Sequence, residues 1–254
     1  MSGQKPLIYL VLGAAGSGRR EVVGNLVADG LEAGSERVLV LLAADEASAP
    51  ADAGLPATAR WSWNEDRSLN LPGLGDATHV FLVADGRANP VDFIEAAKAW
   101  LPLSGGELAR ILCVVHCQLA EKHPALLAWY EACAHFSDVL LLNRREGVAN
   151  KWLSTFQNRF REQFFPFLIE LVKAGQVKNP AVILEPQARR MSHVFDEEPN
   201  WVIAGTTTEA DDEETEDGAE DVEIVPEEDP YLEQRAGGRR VKEIPDIRKF
   251  LEQP

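Results

Sequence analysis

Leu7-Ile8-Tyr9-Leu10-Val11-Leu12 runs directly into Gly13-Ala14-Ala15-Gly16-Ser17-Gly18-Arg19-Arg20. The first six residues are aliphatic or aromatic and uncharged, which predicts a buried β-strand. Glycines at 13, 16 and 18 then predict a turn that brings backbone N–H groups together. After it, Val22, Val23, Leu26, Val27 and Leu31 fall at helical spacing, and Gly34 closes the pattern. A strand, a glycine-rich turn and a helix in immediate succession favour an anion at the helix N-terminus.

The turn keeps the frame of the phosphate-binding loop G-x-x-x-x-G-K-[ST]. Gly13, Gly16, Ser17 and Gly18 are its candidate backbone contacts. Two positions depart from the pattern. Arg19 stands where a lysine reaches the phosphates; it keeps the charge but is bulkier and forked. Arg20 stands where a hydroxyl would hold Mg²⁺, and a guanidinium repels a metal ion. A glycine-rich turn that holds no ligand fits the same residues.

Further strands are expected at 37–43, 59–63, 79–84, 110–116, 138–142 and 181–184. Helices are expected at 90–101, 124–136 and 148–173, the last kinked at Pro166 with Trp152, Phe156, Phe160 and Phe164 as its apolar stripe. Apolar strands mostly alternating with helices predict an α/β fold: a doubly wound, mainly parallel sheet of the P-loop type over residues 1–205.

Charge is concentrated beyond that point. The 254-residue chain carries a net charge of −16, and residues 209–229 alone hold thirteen Asp and Glu without a Lys or Arg. Such composition predicts a disordered acidic tail over 206–254, ending in a short amphipathic island around Ile247, Phe250 and Leu251. Its removal is then expected to leave the stability of the body unchanged. The acidic balance argues against a nucleic-acid surface. No apolar run reaches the ~18 residues of a membrane-spanning helix. Cys113, Cys117 and Cys133 form no C-x-x-C pair and suit a reducing cytosol. The five histidines are scattered without metal-ligand spacing.

Two later loops complete the candidate site. Val83-Ala84-Asp85-Gly86-Arg87-Ala88-Asn89-Pro90 leaves an expected central strand near the glycine turn, which suits sensing of a terminal phosphate or orienting of water. Asn143-Arg144-Arg145-Glu146 follows another strand. It resembles the guanine-reading N-K-x-D of many GTPases, and that resemblance implies that Glu146 accepts from guanine N1–H and the exocyclic amine while Arg144 stacks on the base. A solvated polar loop fits these residues as well.

Taken in order, the three segments resemble the CobW/HypB/UreG group of P-loop GTPases, CobW-like proteins most closely. Gly86-Arg87-Ala88-Asn89-Pro90 is similar to that family's E-[ST]-[ST]-G-x-A-x-P. Ser137–Arg144 is similar to A-D-x-x-x-L-N-K, and Val177–Ile183 to L-N-P-x-A-x-I. The resemblance covers residues 6–186 and implies GTP as ligand, bound by Gly13, Gly16, Ser17, Gly18, Arg19, Arg20, Gly86, Asn143, Arg144 and Glu146, with guanine preferred over adenine.

The departures limit what is carried over. Val83 and Ala84 stand where the family has glutamate and a hydroxyl residue. No cysteine lies at 61–67, where its C-x-C-C metal motif belongs. Mg²⁺ loses its hydroxyl ligand, and metal delivery loses its ligand set. The expectation is a guanine-nucleotide-binding protein with weak or absent hydrolysis and a regulatory or assembly role toward a protein partner. The alternatives are an interaction protein that binds no nucleotide, and an active metallochaperone GTPase with a rearranged Mg²⁺ site.

Overall fold

The computed structural model of the chain describes residues 5–32, 34–196 and 228–251. Strand β1 (Leu7–Gly13) enters the middle of an eight-stranded sheet and leads through a loop into helix α1 (Arg19–Gly30). The chain continues through β2 (Val38–Ala43), β3 (Ala57–Trp63), β4 (Leu69–Asn70), β5 (His79–Val83), α2 (Pro90–Ser104), β6 (Glu107–His116) and α3 (Cys117–Lys122). It goes on through α4 (Leu127–Phe136), β7 (Val139–Asn143), α5 (Asn150–Arg161), β8 (Leu168–Leu171) and α6 (Pro180–Leu184).

The sheet order is β4-β3-β2-β5-β1-β6-β7-β8, and every pairing is parallel except β3 with β4. The chain first moves out from β1 to β2, returns through β5, and then passes to β6 on the other side of β1. That reversal makes the carboxyl end of β1 a switch point, the usual place for a ligand in such sheets.

Alternation along β1 divides the core between two faces. Ile8, Leu10 and Leu12 pack with residues of α2, α4 and α5, including Phe93, Trp129, Tyr130 and Phe156. Tyr9 and Val11 pack with Val22, Val23 and Leu26 of α1 and with Ile183 and Leu184 of α6. All these side chains are buried. The central strands are apolar on both faces because helices cover both.

Three expectations change. The helix expected over 148–173 stops at Arg161. Phe164 takes a left-handed backbone (φ 56°), and its side chain is exposed. Pro166 disfavours helix in the residue before it, and the chain emerges as edge strand β8, paired with β7. Phe156 and Phe160 of the stripe are buried; Phe164 is not. The strand expected at 181–184 is helix α6, with Pro180 at its first position, where the missing N–H costs nothing. Its last carbonyls are satisfied from the sheet: Tyr9 Oη donates to Leu184 O at 2.8 Å and Arg110 Nη1 to Val182 O at 3.0 Å.

The third change concerns the tail. Residues 228–251 pack against the α2 and α4 face of the body. Tyr231 is 3% exposed, its ring 5.8 Å from that of Phe136 and 4.9 Å from His135, and Ile247 is 1% exposed. Asp229 accepts from Ser192 Oγ and pairs with His135 Nε2 at 2.8 Å. Arg240 pairs with Asp92 at 2.8 Å and Glu95 at 2.7 Å. The expectation of disorder through 254 therefore fails over 228–251. The charge run ends at Asp229, and the residues after it supply apolar side chains and a cation that the body can use. The remainder of the acidic run lies outside the described residues.

Candidate functional site

The loop after β1 owes its shape to its glycines. Gly13, Gly16 and Gly18 all have positive φ (139°, 78° and 89°), and Gly18 is the N-cap of α1. A Cβ on Gly13 would run into Val114 O of β6, and one on Gly18 into the Asn143 amide. The loop is thus wedged between neighbouring strands. Ala15 N–H donates to Gly86 O at 2.9 Å and Ser17 N–H to Ala14 O at 3.1 Å. The first N–H groups of α1 have no intrahelical acceptor, as in any helix.

Arg19 and Arg20 open α1, where the helix dipole disfavours cations. Both are buried, and both turn back into the protein. Arg19 Nη1 donates to Ala84 O and Nη2 to Glu46 Oε1. Arg20 Nη2 donates to Glu46 Oε2 at 3.0 Å, and its Nη1 to Asp52 Oδ1 at 2.8 Å and Ala47 O at 2.9 Å. Arg60 extends the cluster, 3.6 Å from Asp52 Oδ2. Cations and carboxylates alternate along the chain of contacts Arg19, Glu46, Arg20, Asp52 and Arg60. The Arg19, Arg20 and Glu46 side chains are only 5%, 9% and 10% exposed, so each would be costly to leave unpaired.

Glu46 is the centre of this cluster. Besides the two arginines, it accepts the Gly86 N–H at 2.7 Å. Burial alone pushes its carboxyl up, but the charge and hydrogen bond of Arg19, the Gly86 N–H and Arg20 outweigh burial and hold it below the usual range. Asp85 behaves oppositely. Burial raises it, and neighbouring Glu46 adds to the rise, although the Arg87 N–H bonds its carboxylate at 2.8 Å.

Gly86 is a close-approach glycine. A Cβ there would run into Ala15 N and Arg19 Nη2. Since Ala15 N belongs to backbone, relief requires a shift of the loop. Gly86→Ala is expected to destabilise the protein by about 1–3 kcal/mol. Denaturant unfolding with an unchanged m-value checks this, and an unchanged midpoint would contradict the packing.

The third loop is tied to the first. Asn143 Nδ2 donates to Ser17 O at 2.8 Å, so its amide fixes the glycine loop. Arg144, itself at φ 50°, donates from Nε to Gly16 O at 3.2 Å and pairs through Nη2 with Glu21 at 2.9 Å. Its guanidinium is a strap across the loop. Glu146 is exposed; its carbonyl accepts from Gln118 Nε2 at 2.6 Å. Of the expected residues, Gly13, Gly16, Ser17, Gly18, Asn143 and Arg144 form one interlocked unit. Arg19, Arg20 and Gly86 converge on Glu46. Glu146 stands at the periphery. Glu46 and Asp52 were not expected. The readable signal was two adjacent arginines at a helix start, an arrangement that calls for carboxylates from elsewhere.

Mg²⁺ does not fit this site. The position that would supply a hydroxyl holds Arg20, and the carboxylates that Arg20 bonds, Glu46 and Asp52, are engaged by guanidinium groups. Among the described residues, no group of three or more His, Cys, Asp or Glu is placed to hold a metal ion. The glycine loop itself keeps left-handed backbone at Gly16 and Gly18, with the Ala15 and Ser17 N–H groups bonded to backbone carbonyls. Burial raises the Cys117 thiol to about 12, and all three cysteines are buried and free. No helix among the described residues is long and apolar enough to cross a membrane.

No protein-family model and no curated protein matches the chain. Among solved structures, the fold is similar to hydrogenase maturation factor HypB from Archaeoglobus fulgidus, with 12% identity over 66% of this chain and 81% of that one and a TM-score of 0.47. It is similar to the Zn(II)-bound YjiA GTPase from E. coli, with 12% identity over 74% and 67% and a TM-score of 0.41. It is also similar to the signal recognition particle receptor FtsY from Elizabethkingia anophelis in complex with GDP, with 16% identity over 78% and 66% and a TM-score of 0.48. The likeness to each is one of fold.

Proposed function

We propose that this is a P-loop protein of the CobW-like kind that does not turn nucleotide over and acts in regulation or assembly through a protein partner. The observation that carries the reading is the commitment of Arg19 and Arg20 to Glu46 and Asp52. Phosphoryl transfer relies on cations that neutralise charge developing on the transferred group. Here the two loop cations are neutralised by the protein's own carboxylates. Guanine nucleotide affinity is weak for the same reason, since the phosphates must draw these arginines away from buried partners.

Phosphate release from GTP, followed with Mg²⁺ and with chelator, tests this reading. The expected result is a rate near background in both conditions. The paired change Arg19→Lys and Arg20→Thr is expected to make nucleotide binding Mg²⁺-dependent. Turnover remains absent, because Val83 and Ala84 still supply neither acid nor hydroxyl. Rapid Mg²⁺-dependent hydrolysis by the unmodified protein would favour the active metallochaperone instead.

A further inference from the structure

We infer that the Glu46 carboxylate is the resident anion of an oxyanion site formed by the Arg19 and Arg20 side chains and the Gly86 N–H, and that a phosphate-class ligand enters this site only by displacing Glu46. The inference rests on the proposed commitment of the loop cations and goes further by assigning the occupant and its competitor.

Three donors from two separate segments, the start of α1 and the β5–α2 connection, converge on one carboxylate that arrives from a third, the segment after β2. The geometry is that of anion recognition rather than of a simple surface pair. Oε1 takes Arg19 Nη2 and Gly86 N–H, while Oε2 takes Arg20 Nη2. A terminal phosphoryl group offers the same pair of acceptor oxygens and one more, with greater charge. Gly86 lacks a Cβ at the point where one would block the approach of Arg19. Within the loop, Ser17 Oγ is fully buried and has no hydrogen-bond partner among the described residues. It lies 3.1 Å from the place a Cβ on Gly13 would occupy, and Arg19 Cδ lies 3.3 Å from the same place. The loop therefore keeps an unanswered hydroxyl that, like the Arg19 stem, borders the space left by the missing Gly13 side chain.

A tethered carboxylate competes at high effective concentration. The state with free arginines is a minor one, and its low population weakens the apparent affinity for an external anion in proportion.

The test measures pyrophosphate and GTP affinity by calorimetry, without metal, for the full chain and for Glu46→Gln. Glutamine keeps the shape and an acceptor oxygen but loses the charge. Glu46→Gln is expected to bind pyrophosphate about tenfold or more tightly than the unmodified protein. The gain is expected to vanish when Arg19→Gln is added. A gain with pyrophosphate and GTP alike marks the phosphates as the recognised group. A Glu46→Gln protein with native near-ultraviolet circular dichroism and no gain in affinity would overturn the inference. So would a gain that survives Arg19→Gln, since the arginine that Glu46 holds would then play no part in it. Should Glu46→Gln fail to fold, Glu46→Asp, which withdraws the carboxylate by one methylene, is expected to show a smaller gain, and its absence would equally overturn the inference. GTP turnover by the unmodified protein would refute the proposed function without affecting this comparison. A missing gain would refute this inference without requiring turnover.

Discussion

Deletion of residues 228–254 is expected to lower the melting temperature of the body by roughly 10 °C. Tyr231 and Ile247 are buried in the same cluster as Phe136 and Trp129, and removing one large buried apolar side chain costs about 2–5 kcal/mol. Several kcal/mol are thus at stake, and in a body of this size each shifts the midpoint by about 2–4 °C. The polar contacts act in the same direction. Deletion leaves His135, Ser192, Asp92 and Glu95 without partners from this segment. Asp229 ties this docking to pH. Burial pushes its carboxyl up, but hydrogen bonds from His135, Ser192 and the Tyr231 N–H hold it below the usual range. Its contribution is therefore complete above the unfolded-state value and lost as pH falls through the folded one. Calorimetry of the full chain and the truncated chain checks the expectation, and coincident transitions would contradict the docking.

Replacement of Glu46 by alanine is expected to have an effect of similar size. It leaves Arg19 and Arg20 buried with a cation excess, and breaking a buried pair from one side costs about 3–5 kcal/mol. Glu46→Gln keeps an acceptor for the Gly86 N–H and is expected to cost less. The pH dependence has a definite sign. The folded-state value of Glu46 lies below its unfolded value, so its stabilisation is complete above about pH 4.3 and lost as pH falls through the folded value. Acid unfolding of the unmodified protein is therefore expected to be steeper than that of Glu46→Gln. Denaturant midpoints measured against pH distinguish the two. Parallel curves would mean that the carboxylate contributes nothing through its charge.

The parts of the fold that could be read from the chain are those whose physics is local. β1, β2, β5, β6 and β7 are apolar runs because parallel strands are covered on both faces, and the glycine loop declares itself through φ values that other residues avoid. The short run at 181–184 could not be assigned by periodicity, since a buried strand and a buried helical turn look alike at that length. What decides it is long-range: Tyr9 and Arg110 bond the carbonyls at its end. Phe164 extends the spacing of Trp152, Phe156 and Phe160, so nothing in that stripe announces the left-handed turn before Pro166. The docked segment was obscured by its neighbour, because the acidic run dominates any composition that includes both.

The candidate site divides in the same way. The glycines, Asn143 and Gly86 are marked by type and order. The direction in which Arg19 and Arg20 point is not, because Glu46 and Asp52 lie some 26 and 32 residues away and no spacing links them. Two cations at a helix start read as outward-facing for a ligand when the loop is considered alone. In the folded chain they face inward, since a buried carboxylate already satisfies them.

The central claim is that Glu46, held by both arginines, occupies the cationic end of the loop. Its most direct test is the titration of the Glu46 carboxyl carbon by nuclear magnetic resonance in the full-length, nucleotide-free protein. The expected value lies below the ordinary glutamate range and shifts upward when Arg19 is replaced by glutamine. A value at or above the ordinary range, insensitive to Arg19, would mean that the arginines are not engaged by Glu46 and would contradict the account.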